Sequence, residues 1–255
     1  MPTATYSTLK MLHCLHPQAI AFENFNPFLQ KPLPLDIDSI QKKMVQMHRG
    51  GYCFEHNTLF QHALEAIGFK VRALAGRVLW RRSQGPRPAR THMLLMVWVK
   101  QQAYIVDVGF GGNTLTTPLL LATNVEQQTS HEVFKIIVGK QDEYILELKL
   151  NSSWKAMYSF TLEQQYTSDF ELANWYLLHH PDSHFLNLLT LARTDNHCRY
   201  ALLNNRYTIH CTSQASETIL LKDFSDWKTI VKEKFLIEDK ENILLKAAWE
   251  KIMNL

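Results

Sequence analysis

The chain has few cysteines, no long apolar run and no strong charge of either sign. Its 255 residues include four cysteines, at 14, 53, 198 and 211, whose spacing matches no disulfide framework. Together with an N-terminus that lacks a signal-like pattern, this predicts a reducing cytoplasm. The longest uninterrupted apolar run, Met93–Val99, falls far short of the roughly 20 residues that span a bilayer, so no membrane partner is expected. Lys and Arg number 27 against 24 Asp and Glu, a net charge of +3, too mild to imply a nucleic-acid partner. No internal repeat and no low-complexity tract interrupts the chain. His197-Cys198 and His210-Cys211 match none of the usual zinc-ligand spacings, and neighbours along a strand point to opposite faces. No metal site is expected.

What is present is enough apolar material for a core, 46% of the residues, and a change of period along the chain. Residues 1–68 read as helical. Thr8–His16 is a short candidate helix ended by Pro17. Asp36 or Asp38 can cap a helix running through His48, with Ile37, Ile40, Met44 and Met47 on one face. Pro27–Pro34 is a loop between them. From 69 onward the pattern turns strand-like: Lys70–Trp80, Thr91–Lys100, Ala103–Gly109, Val133–Val138, Tyr144–Leu150 and Trp154–Phe160 are rich in Val, Ile, Leu and aromatics. Short strands at this spacing predict an antiparallel sheet or barrel. Further on, Phe170–His179 is helical, and Tyr200–Leu203 with Arg206–His210 forms a hairpin about Asn204-Asn205. A helix capped by Ser225 or Asp226 carries Trp227, Ile230, Val231 and Phe235, and a last helix runs near Glu241–Met253. The fold class is α+β.

The most informative segment is Arg49-Gly50-Gly51-Tyr52-Cys53-Phe54-Glu55-His56-Asn57. After the Gly-Gly turn, Phe60, Ala63, Leu64 and Ile67 recur at helical spacing and Gly68 supplies a stop. Cys53 therefore sits at or near a helix N-terminus, where unpaired N–H groups and the helix dipole stabilise a thiolate. With a neighbouring imidazolium, such thiols fall to roughly 3.5–7.5 from about 8.5. His92 and Asp107 follow, each in a strand-like context. Cys, His and Asp are a nucleophile, its base and the group that orients the base. Asp107 is notable because Asp is depleted in strands and rarely buried without a partner. Arg77, Arg81, Arg82, Arg87 and Arg90 cluster around the Gln84–Pro88 loop. They could meet phosphate, although a plain solvated loop is the simpler reading.

The segments RGGYCFEHN, RTHMLLMV at 90–97 and YIVDVGFGG at 104–112 resemble, as a set, the arylamine N-acetyltransferase family. AFENFNPFL at 21–29 and, more weakly, HPDSHFLNLLTLAR at 180–193 are similar as well, so the resemblance runs from about Thr5 to about His210. It implies a cysteine-protease-like Cys-His-Asp core in three regions. These are an N-terminal helical bundle with the nucleophile (1–68), a central β-barrel-like region with His and Asp (69–165) and a C-terminal α/β lid (166–255). The family's catalytic residues map onto Cys53, His92 and Asp107. The resemblance puts Phe22, Phe110 and Phe185 against the aryl acceptor, and Glu23 and Arg49 in a buried charge network. It implies acetyl-CoA as co-substrate, an arylamine or hydrazine as acceptor, a ping-pong route through acetyl-cysteine and a place in xenobiotic metabolism. Ala21 replaces the usual proline, and His56 stands where Gln or Leu is commoner. Rival readings of the same three groups are an amide synthase or a thiol hydrolase with another acyl donor, or a non-catalytic binding protein.

Overall fold

The switch of period near residue 69 is where helices give way to strands in the computed structural model, which describes residues 2–82, 85–212 and 214–255. The first stretch holds α1 (Tyr6–Ala19), the two-residue strand β1 (Phe22–Glu23), the single turn α2 (Phe25–Phe28), α3 (Ile37–Gln41) continued by a π-helical turn over Lys42–Gln46, and α4 (Cys53–Ile67). Eight strands follow: β2 (Lys70–Val78), β3 (Arg90–Val99), β4 (Gln102–Val106), β5 (Leu119–Leu120), β6 (Gln127–Gln128), β7 (Val133–Val138), β8 (Tyr144–Leu150) and β9 (Ser153–Phe160). The remainder comprises α5 (Thr167–His179), α6 (His184–Asn187), β10 (Thr190–Thr194), β11 (Cys198–Leu203), β12 (Arg206–Cys211), β13 (Glu217–Leu220), α7 (Phe224–Phe235) and α8 (Ile243–Met253).

The eight strands form one antiparallel sheet in the order β5-β4-β3-β2-β9-β8-β7-β6. It curls until its ends nearly meet. The Gln127 side chain closes the seam: its amide donates to the Leu120 carbonyl (2.9 Å) and its oxygen accepts the Leu120 N–H (2.7 Å). Leu94, Met96, Ile105, Phe134, Leu146 and Met157 fill the inside, while Met93, Leu95 and Val97 on the other face of β3 join the core of Phe60 and Leu64 from α4. Burial on both faces explains why Met93–Val99 reads as an unbroken apolar run rather than an alternating one. The second sheet has the order β1-β10-β11-β12-β13. Phe22 pairs with Ala192 and Glu23 with Leu191, so the first and last thirds of the chain share a sheet. Trp227, Val231 and Phe235 of α7 and Ala248 of α8 pack with it into a separate core. The architecture is α+β, as expected.

Several local expectations need correction. Pro17 lies inside α1 rather than ending it; in the last turn it forfeits one backbone bond, and Ile20 N–H still closes the helix onto His16 O at 2.9 Å. The helix expected to reach His48 widens into the π turn at Lys42, which keeps Ile40 and Met44 buried but leaves Met47 half-exposed. The cap of α7 is Asp223, which accepts the Asp226 N–H at 2.9 Å, not Ser225 or Asp226. The largest correction concerns the cysteines. Cys198 and Cys211 are directly opposite across the β11–β12 hairpin and are joined as a disulfide, leaving Cys14 and Cys53 free. Spacing alone hid the pair, because the Asn204-Asn205 turn sets the register that makes them partners. The cysteine-based ground for a reducing compartment is weakened accordingly. Among the described residues no helix is long and apolar enough to cross a membrane.

Candidate active site

Cys53 is the first residue of α4. The Glu55 carboxylate accepts the Tyr52 N–H at 3.0 Å, and the first intrahelical bond runs from His56 N–H to Tyr52 O. The N–H groups of Cys53, Phe54 and Glu55 therefore precede the helical ladder, and the positive end of the helix lies at the sulfur. Two glycines allow this packing by having no side chain. A Cβ on Gly50 would sit 2.1 Å from the Ala21 carbonyl oxygen, and one on Gly109 would sit 2.9 Å from Cys53 Cα.

The barrel brings the other two groups to the same place. His92 is on β3, and Asp107 directly follows the neighbouring β4. His92 Nε2 is 2.7 Å from Asp107 Oδ2, and both residues are buried. With Nε2 held by the carboxylate, Nδ1 is the ring nitrogen left for the sulfur. Cys53 Sγ lies 3.7 Å from the carbonyl of Thr91, the residue before His92. Burial alone would lower the imidazole; the Asp107 carboxylate outweighs it, Cys53 adds to it, and His92 is held up to about 10. Burial likewise pushes the Asp107 carboxyl up, but His92, the Gly109 N–H and the Asn57 amide together hold it below the ordinary carboxylate range.

Three residues in contact with this pair carry no role in the sequence analysis. Asn57, one helical turn after Cys53, donates to Met93 O (2.8 Å) and Asp107 Oδ1 (3.2 Å) and accepts the Val108 N–H (3.2 Å). Its place at i+4 from Cys53 was the available signal. Tyr158 on β9 packs 4.8 Å from the His92 ring, and burial and then the nearby Asp107 charge raise its phenol well above the usual value. His13 Nε2 accepts the Asp107 N–H at 3.3 Å. Neither of these last two carries a local sequence signature.

A cavity of about 500 Å³ opens above the sulfur. Phe22, Phe110 and Phe185 all line it, with Trp80, Tyr176 and Leu177. Phe22 and Phe185 pack at 6.2 Å, and Phe110 stands edge-on to His92 at 5.2 Å. Of the arginine cluster, Arg82 and Arg87 reach the cavity. Arg87 pairs with Glu143, Arg77 Nε lies 3.8 Å from the same carboxylate, and Arg90 is 3.4 Å from Glu163; Gln84 lies outside the described residues. Glu23 and Arg49 do form a buried pair, which Lys43 extends to Glu55 (2.8 Å). Among the described residues no group of three or more His, Cys, Asp or Glu is arranged to hold a metal ion.

A thiol at a helix N-terminus, beside an imidazole aligned by a buried carboxylate and under an aromatic cavity, is equipped for acyl transfer. The N-acetyltransferase family model matches residues 5–243. An arylamine N-acetyltransferase of Mycolicibacterium smegmatis is 39% identical over 222 residues, 86% of this chain and 80% of its own. The chain belongs to the arylamine N-acetyltransferase family. It is an acyltransferase. The solved arylamine N-acetyltransferase of Salmonella typhimurium superposes with a TM-score of 0.94 at 33% identity, covering 100% of this chain and 94% of that one. That of Mycobacterium marinum, in complex with CoA, gives 0.93 at 34% identity, covering 98% and 93%.

Proposed function

We propose that this enzyme moves an acetyl group from acetyl-CoA to the nitrogen of an arylamine or arylhydrazine through an acetyl-cysteine on Cys53. The observation that carries the proposal is the His92–Asp107 pair, 2.7 Å apart, set beside a cysteine that opens a helix under an aromatic cavity. The CoA bound to the Mycobacterium marinum relative supports the donor.

In the first half-reaction the Cys53 sulfur attacks the thioester carbonyl. The resulting oxyanion is met by N–H groups at the start of α4. The C–S bond to CoA breaks, CoA leaves as the thiol with a proton from His92, and acetyl-Cys53 remains. In the second, the neutral amine attacks acetyl-Cys53, His92 accepts the amine proton and returns it to the sulfur, and the amide departs. Asp107 fixes the imidazole and stabilises its cation. Phe22, Phe110 and Phe185 hold the aryl ring. In this scheme residues 1–68 supply the nucleophile, 69–165 the base and its orienter, and 166–255 a lid over the cavity. Initial rates with both substrates varied test the route: parallel double-reciprocal lines are expected, and lines that converge would refute the two-step scheme.

A further inference from the structure

Behind the nucleophile His13 and His56 are buried and His16 is half-buried, and the chemistry above uses neither His16 nor His56. His56 is 1% exposed. Its Nε2 lies 3.1 Å from the Ala21 carbonyl; a carbonyl only accepts, so Nε2 carries the proton. In a neutral His56 the lone pair is then on Nδ1, and His16 Nε2, 2.9 Å away, donates to it. One chain of hydrogen bonds thereby ties α1 and α4 to the residue before β1. The same Ala21 carbonyl takes the Gly51 N–H at 3.3 Å, so it is held from both sides of the Cys53 turn.

Ala21 directly precedes Phe22, which walls the cavity. The Phe22 ring lies parallel to the His56 imidazole, with 6.5 Å between centroids and 6° between planes. On the cavity side Phe22 meets Phe185 at 6.2 Å, and a Cβ on Gly111 would touch it at 3.6 Å. His56 thus backs Phe22 in two ways, through the backbone oxygen next to it and through the ring behind it.

We infer that His56, steadied by His16, is a positioning residue for the acceptor: it sets where Phe22 holds the aryl ring over acetyl-Cys53. It touches neither acyl group nor amine. The inference rests on the function proposed above. Its consequence is a split between the half-reactions, because formation of acetyl-Cys53 needs the sulfur, His92 and the helix N–H groups, whereas amine attack also needs the ring correctly placed.

The test compares His56→Leu with His56→Gln in two single-turnover assays: CoA release on mixing with acetyl-CoA, and decay of the pre-formed acetyl-enzyme with a substituted aniline. Gln can still donate to the Ala21 carbonyl; Leu cannot, although it fills apolar space better. H56L should slow the acceptor step about tenfold and H56Q about threefold, the scale of one or two lost hydrogen bonds, with the donor step moving less than about twofold. Should H56L prove insoluble, His16→Phe removes only the donor to His56 Nδ1 and should give the same acceptor-selective loss. Wild-type enzyme that releases no CoA overturns the proposed function and this inference together. A normal wild-type burst with an unchanged acceptor step in H56L, with both steps slowed equally, or with H56L outperforming H56Q, overturns the positioning role alone.

Discussion

Asp107 and Glu23 are both carboxylates with no exposed surface, one bonded to Asn57 of α4 and the other packed on Gly50, yet they face different partners. Asp107 meets an imidazole and the neutral donors of Asn57 and Gly109. Glu23 meets the cations Arg49 and Lys43, which outweigh its burial and hold its carboxyl down at about 2. Burial is therefore not what separates chemistry from architecture here. The imidazole beside Asp107 presents a second ring nitrogen towards Cys53 and can work as acid and base; the guanidinium and ammonium beside Glu23 pair with carboxylates and leave it as a strut beneath the Gly50-Gly51 turn.

Exchanging the two roles by mutation would break this contrast. Asp107→Asn should lower acetyl transfer by about 10³–10⁴ in kcat/KM, the scale for losing the orienter of a catalytic imidazole, in a protein that still folds. Glu23→Gln should leave Arg49 underpaired and lower unfolding free energy by about 3–5 kcal/mol, with the rate per folded molecule falling far less than in D107N. Denaturant titration and steady-state kinetics on both variants check the pair of outcomes; equal losses of activity would erase the distinction.

The histidines extend the comparison to pH. His92 is held up to about 10, above its ordinary 6.5. Its contribution to stability is thus complete below about 6.5 and is lost as pH rises towards 10. His13 and His56 are lowered to about 4, chiefly by burial. The unfolded chain then binds protons that the native one refuses, so stability falls as pH drops from 6.5 towards 4. Each slope is bounded by about 1.4 kcal/mol per pH unit per histidine. Urea unfolding between pH 4.5 and 9.5, a range of roughly five pH units, should show losses at both ends. D107N should flatten the alkaline arm and H56Q the acid arm.

Smaller effects sharpen the picture. Phe110→Ala removes an aromatic wall of the cavity and should raise acceptor KM about tenfold, more than it raises donor KM. Lys149 and Glu126 form an outward-facing pair at 3.0 Å, and Lys149→Gln should change stability by less than about 1 kcal/mol, a baseline against the buried Glu23 network.

Much of this arrangement was legible in the sequence because it is local. The Gly-Gly turn, the apolar spacing to Ile67 and the stop at Gly68 locate Cys53 at its helix start within one residue. The alternation and turns of 69–160 predict six of the eight barrel strands to within a residue or two at most ends, but not the two-residue strands β5 and β6. What stayed hidden depends on distant pairing. Strand β1 has two residues and exists through its pairing with β10 and its bridge to Gly51. The Cys198–Cys211 bond needs the hairpin register. Tyr158 reaches His92 only because β9 lies beside β2. The bond from His16 to His56 spans 40 residues. Phe185, whose stretch carries the weakest part of the resemblance, lines the same cavity as Phe22 and Phe110.

The central claim is that Cys53 carries the acetyl group between two substrates. Intact-mass spectrometry after brief mixing with acetyl-CoA alone tests it most directly. The account predicts one added acetyl group, absent from Cys53→Ala and lost when an arylamine is added. An unmodified wild-type mass, or an adduct that persists in C53A, would contradict it.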